Sequence, residues 1–546
     1  MKAVFSRTLG AAMPVALAML VSAAGLQAQE LRHRTALTGD RPAVVPGEFH
    51  GITAPDEGVM GDMAQIGNLL QQGKVDQALK AIDALQKKRP ADVVPVFLRG
   101  RALLQKGDQG GARQAMEQAL KIDANYFPAI AMLAGLDNAE KRPDAARARL
   151  EAAIEHQPGN VLAYRALMEL RAAHGADKAE LTGILRKAVD AAPKSALAHQ
   201  QLAEFYLRVG EPKEALAVAQ KASAALPDSP QLLDVLGRAQ SATGDYAQAQ
   251  TSFGRMVQLL PKSPLPYLRM ASAHLLAGDR VAADEKLRKA LALDPNSLEA
   301  QQGLASLAMS AQKPEEALTI ARNIQKQRPK ELVGYVLEGE IHAAAKAWDK
   351  AIAAYRNGLK QTDNPALAVR LHDAMLAGGK KQDAERLAAD WERNHSKDAA
   401  FPLYLANRAM VSRELPASLV LYDRVLALQP DNAVALNNRA WVKGQMGREG
   451  ALADAERANT LAPNQPPFMD TWAMLLSDAK QHDKAVELQK KVVQMQPQGL
   501  SYKLNLAKIY INAGQKDAAR PLLDELAAAG QGFAAHAEVE ELRKGL

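Results

Sequence analysis

The chain has 546 residues, a formal charge of +7, 48% hydrophobic and only 4% aromatic residues, and no cysteine. That excludes disulfides and thiol-ligated metals, and the evenly mixed charge lacks the dense basic, aromatic-rich stripe that nucleic-acid binding needs. The length alone would suggest three or four globular domains, an inference that the internal repeats below remove.

The chain opens with Lys2 and Arg7, the apolar run "LGAAMPVALAMLVSAAGL" and then "LQAQE", with Ala28 at a small-residue cleavage position. This order predicts a secretory signal peptide over residues 1–28. The other reading is a retained anchor, but the run is short and Pro14 interrupts it. Cleavage leaves about +5. No later segment is apolar enough to span a bilayer, and no cysteine offers a lipid-attachment thiol. The expected location is the bacterial periplasm, with secretion possible.

Residues 29–59 differ in character. Pro42, Pro46 and Pro55 with Gly39, Gly47 and Gly51 give an aperiodic leader. It reads either as a disordered tether or as a strap along the first repeats or a partner.

From residue 60 onward a ruler of small residues runs to the end. Its marks are Ala78, Ala112, Ala146, Ala215, Ala249, Ala283, Ala317, Ala351, Ala384, Ser418, Ala451, Ala485 and Ala519. Most steps are 34 residues, two are 33, and Ala146 to Ala215 is two periods plus one. Pro193, Pro227, Pro261, Pro295 and Pro329 form a second ruler, 12 residues after each small position. Proline there stops one helix and starts the turn into the next unit. Between the marks, Leu197, Ala203, Tyr206 and Leu207 make one apolar stripe, Gly210 breaks the chain, and Ala215, Val218, Ala219 and Ala222 make the next. Residues 60–546 are therefore predicted to be an all-α solenoid of about fourteen helix–turn–helix units.

The pattern resembles the tetratricopeptide repeat. Leu236-Gly237, Ala249, Phe253 and Pro261 match its signature, as do Gly339, Ala351 and Tyr355. Two units depart. The one from about Asn160 to Pro193 is a residue long and has Leu181 in the small slot; another carries the bulky Trp391. Local distortion is expected at both. The resemblance implies a right-handed superhelix whose first helices line a concave face where partners dock.

The search for chemistry is nearly empty. GxxxxGK[ST], GxSxG and HExxH are absent, and no two histidines lie three or four apart. No catalytic residue, cofactor or metal site is expected. The register instead offers groove candidates, expected to face solvent: Glu204, Arg208, Asp234, Arg238, Gln302, Glu340, Asn407 and Asn438. Asn407 and Asn438 fall where some relatives grip a peptide's terminal carboxylate, but Leu403, Pro467 and Thr471 stand where that grip has cations.

The last three units, with Asn437-Asn438 before Ala440-Trp441, Asp470-Thr471-Trp472 and a helix after Gly532, resemble exported repeat proteins of exopolysaccharide and exosortase-linked (PEP-CTERM) systems. Together these readings give a non-catalytic scaffold for protein partners of an envelope or secretion complex. A periplasmic peptide- or glycan-binding protein or chaperone is the alternative.

Overall fold

The computed structural model describes residues 57–546. The expected signal peptide and nearly all of the expected leader lie outside the described residues. The leader's last three positions already belong to the first helix, which opens at Glu57.

The described residues form 29 helices in repeating pairs and no strand. The first pair is Glu57–Gln71 with Val75–Lys88, and the fourteenth is Leu500–Asn512 with Lys516–Ala528. The short helix His536–Lys544 follows and covers the last pair with Val539. The chain divides into two compact units at Ile320/Ala321.

Each mark of the sequence has a physical reading. Twelve of the small positions are fully buried, Ser418 among them; Ala451 keeps 9% exposure. The Ser418 hydroxyl is satisfied by donating to the Ala406 carbonyl at 2.9 Å. The ruler prolines sit two residues beyond helices ending at Ala191, Ala225, Leu259, Leu293 and Gln327. Many first and second helices begin with a side-chain cap: Ser195 accepts from the amide of Ala198, and Asp245 from that of Gln248.

Close packing within a unit depends on glycine on the first helix. A Cβ at Gly237 would lie 2.4 Å from the Phe253 ring, and one at Gly339 would lie 2.1 Å from Tyr355. The ring therefore takes the volume a side chain would need. Burying it stabilises the pair by about 2–3 kcal/mol.

The turn between paired helices has one further rule. Every pair has a left-handed residue there, from Gly73 and Gly107 to Gly514. Nine of these are glycine; Lys141, Gln312, Lys346, Arg413 and Lys480 take the same slot at φ of 55–64°. The break seen at Gly210 is thus a property of every repeat, whatever residue occupies it.

The two irregular units keep their helix pairs. Near residue 175, Gly175 turns left-handed, Asp177 caps the helix Lys178–Ala191, and Leu181 is buried in the small slot. Trp391 is buried, stacks on His395 with centroids 3.8 Å apart, and donates from Nε1 to Asp398 at 2.8 Å.

Within each unit, most successive first helices touch one another directly, and successive second helices do not come as close. First helices therefore line the inner side of the local curve.

Candidate functional site

The first-helix face is where the sequence candidates fall, and the structure sorts them. In the N-terminal unit, Arg208 and Gln302 are exposed as expected. Glu204 and Arg238 are half-buried, and Asp234 is buried, which corrects its expected solvent-facing position. The cause is the neighbouring repeat. Arg238 Nη1 donates to Glu204 Oε1 at 3.2 Å and lies 3.5 Å from Asp234 Oδ2. Arg269 Nε donates to Asp234 Oδ1 at 2.6 Å. Charges thus alternate across the three helices Ala196–Arg208, Pro230–Ala242 and Leu265–Leu276, and each guanidinium satisfies a carboxylate that packing has partly dried.

The C-terminal unit has equivalent links. Glu340 Oε1 accepts from Arg370 Nε at 3.4 Å. Asn407 Oδ1 accepts from both Tyr422 Oη at 2.7 Å and Asn438 Nδ2 at 3.1 Å. Asn438 is 3% exposed and its own Oδ1 accepts from Asn437 Nδ2 at 3.1 Å. This corrects the expected exposure of Asn438, since the pair is turned inward to join repeats.

Several residues on this face were not singled out from the sequence. Asp373 accepts from Tyr404 Oη at 2.6 Å and from Arg408 Nη1 at 2.8 Å. Buried His372 meets Tyr404 Oη through Nδ1 at 2.8 Å. Burial, with Arg408 nearby, pushes His372 down to about 4, so it is neutral near pH 7. Asp470 is buried and takes Asn505 Nδ2 on both oxygens, at 2.9 and 3.0 Å, and Gln489 Nε2 at 2.6 Å. Burial raises its carboxyl to about 6, against the pull of these amides.

A signal for them exists in the sequence. Asp234 and Arg269, Asp373 and Arg408, Asp470 and Asn505, and Ser477 and Asn512 are each 35 residues apart and bonded. One period plus one residue brings a first-helix side chain against its successor, so complementary polar types at that spacing mark the links.

The N-terminal unit also buries an ionic knot at Asp137, which is 1% exposed. Burial alone would raise its carboxyl, but Arg149 and Arg113 donate to it and hold it below the ordinary value. Arg142 bonds it as well.

Among the described residues no cluster of three or more His, Asp or Glu side chains could hold a metal. No described helix is long and apolar enough to cross a membrane. The face offers paired charges and amides from repeat to repeat, with single exposed polar groups between them.

Models of the tetratricopeptide repeat match residues 64–127, then 103–171, 182–239, 274–337 and 476–542, with a further match at 230–255. The chain belongs to the tetratricopeptide repeat family. Among curated relatives it is 24% identical, over 473 residues, to cellulose synthase operon protein C of Pseudomonas fluorescens. That match covers 80% of this chain and 33% of the relative. It is also 25% identical over 220 residues to a TPR repeat-containing protein of Pseudomonas aeruginosa, covering 39% and 31% respectively. The chain thus spans about a third of the length of these relatives. Among solved structures, yeast Tom70 is 14% identical, with 90% of this chain and 96% of that chain covered, at a TM-score of 0.33. A Naa15/Naa10 complex bound to HypK-THB is 16% identical, with 89% and 78% covered, at the same score of 0.33.

Proposed function

We propose that this tetratricopeptide repeat protein is an exported, non-catalytic scaffold. Its first-helix faces hold an extended segment of a protein partner in a bacterial envelope or exopolysaccharide assembly system. The observation that carries the reading is the repetition of one polar face. Within each compact unit every repeat adds a first helix, and in the N-terminal unit the exposed groups Arg208 and Gln302 stand between the fixed links. Many weak contacts in series suit an extended partner better than a compact ligand. The likeness to cellulose synthase operon protein C over 80% of the chain supports the exopolysaccharide setting. The basic, apolar and small-residue order of residues 1–28 supports export.

The test is capture from the native host. Arg208→Glu and Gln302→Glu together should leave the melt unchanged within about 1 kcal/mol, as exposed positions do. Retention of the protein partner should fall at least tenfold. Retention unchanged by these two, or turnover of a glycan or peptide by the purified protein, would overturn the reading.

A further inference from the structure

One cleft on the first-helix face of the C-terminal unit has its own chemistry. It lies among the helices Ala433–Gln445, Pro466–Asp478 and Leu500–Asn512, all of one compact unit. Trp441 comes from the first, Asp470, Met474 and Asp478 from the second, and Asn505 and Lys508 from the third. Asp470, Met474 and Asp478 are four residues apart and share one stripe.

The cleft is lined by two carboxylates, Asp470 and Asp478, and by one cation, Lys508, that is paired elsewhere. Asp470 is 6% exposed, and the donors bonded to it are the neutral amides of Asn505 and Gln489. Its Oδ2 has a single bonded donor, Asn505, although a carboxylate oxygen has room for two. Lys508 also lines the cleft, but its ammonium is 2.6 Å from Glu538. Asp478 is the last residue of its helix, where the helix dipole disfavours negative charge. No cation pairs with it among the described residues, and burial raises its carboxyl. With the Lys508–Glu538 pair neutral, the cleft holds two negative charges from Asp470 and Asp478.

Size and lining choose the occupant. The cavity is about 30 Å³, enough for one or two water-sized groups. It has room for an ammonium head and none for a sugar ring. Trp441 and Met474 offer apolar surface, and a lysine lays its methylene stem on such surface while its head seeks an acceptor. A guanidinium is planar and wants two parallel acceptors, whereas Asp470 presents one free position.

We propose that this cleft is a subsite for a lysine side chain on the partner segment, with its ammonium on Asp470 and its stem along Met474 and Trp441. This rests on the protein-partner reading and adds to it a chemical requirement on the partner. The cation is on the partner and the carboxylate on the repeat.

The test uses the full chain carrying 5-fluorotryptophan, read by fluorine NMR. Four tryptophans give four resonances, and Trp441→Phe identifies the one at the cleft. The probe is the pentapeptide acetyl-Ala-Ser-Lys-Ser-Ala-amide. It should shift the Trp441 resonance saturably, while the versions with acetyl-lysine or norleucine leave it in place. Asp478→Asn, whose carboxylate has no bonded partner among the described residues, should raise the apparent Kd at least threefold. Asp470→Asn should abolish the response. Equal shifts from the norleucine or arginine peptide, or no shift from the lysine peptide, would overturn the subsite. Partner capture in the native host separates the two claims. Capture without a lysine response removes the subsite and leaves the scaffold, and a lysine response without any captured protein does the reverse.

Discussion

Asn438 donates to Asn407 at 3.1 Å across the boundary between consecutive repeats, and Tyr422 donates to the same oxygen at 2.7 Å. The two asparagines that most suggested a ligand grip are bonded to each other. One oxygen thus ties together two first helices and a second helix.

Removing either donor should cost stability through unmade bonds. Tyr422→Phe should cost about 1–2 kcal/mol, and Asn438→Ala about 1–3 kcal/mol, because buried polar groups lose partners. Urea titrations of both singles and the double give a cycle. Because the two donors share one acceptor, the coupling energy should be at least about 0.5 kcal/mol. Strict additivity would mean that the network is not formed.

The turn slot gives a second prediction. Gly244 has φ of 87° and no atom within 4 Å of where a Cβ would be, so Gly244→Ala meets a backbone penalty alone. It should destabilise by about 1–2 kcal/mol. Gln312 takes the same slot at φ of 58°. Gln312→Gly relieves that strain but adds freedom to the unfolded chain, so it should range from neutral to a gain of about 1 kcal/mol. Thermal melts by circular dichroism compare them, and a loss in both would mean that the slot is not left-handed.

The small-residue ruler gives a third. Ala249 is fully buried, and Gln248 beside it is exposed. Ala249→Leu should cost about 1–3 kcal/mol by overpacking. Gln248→Leu should stay within about 0.5 kcal/mol. Equal melts for the two variants would contradict the packing register.

The fourth concerns pH. Burial raises Asp470 to about 6 from 3.8, so the folded chain holds a proton there that the unfolded chain releases between about pH 4 and 6. Unfolding free energy from this group therefore falls as pH rises through that window, the opposite of an ion-paired carboxylate such as Asp137. Asp470→Asn removes the dependence and leaves every other titrating group in place. From pH 7 to 4.5, the difference between wild type and variant should move by about 2 kcal/mol in favour of the wild type. A difference that does not change with pH would mean an ordinary Asp470.

The fold was legible because its determinants are steric and repeat in phase. A helix pair that must approach closely needs Ala at 249 and Gly at 237, and the chain writes such residues every 34 positions. The site was legible only to the level of a face. Sequence register places Asp234 on a first helix, but whether it meets water depends on Arg269 from the next repeat, 35 residues on. Arg208 and Gln302 have no such neighbour bonded to them and stay exposed. The left-handed turn at Lys141 and Gln312 was not legible either, since there the conformation is set by the pair of helices and not by the residue.

The most direct test of the scaffold is site-specific photo-crosslinking in the native host. A benzophenone amino acid would replace one exposed residue at a time. Arg208 and Gln302 represent the first helices, and Lys221 and Arg386 the second helices. The account predicts a defined protein adduct from Arg208 and Gln302 and none from Lys221 or Arg386. Adducts confined to the second-helix positions, or none from any position, would contradict it.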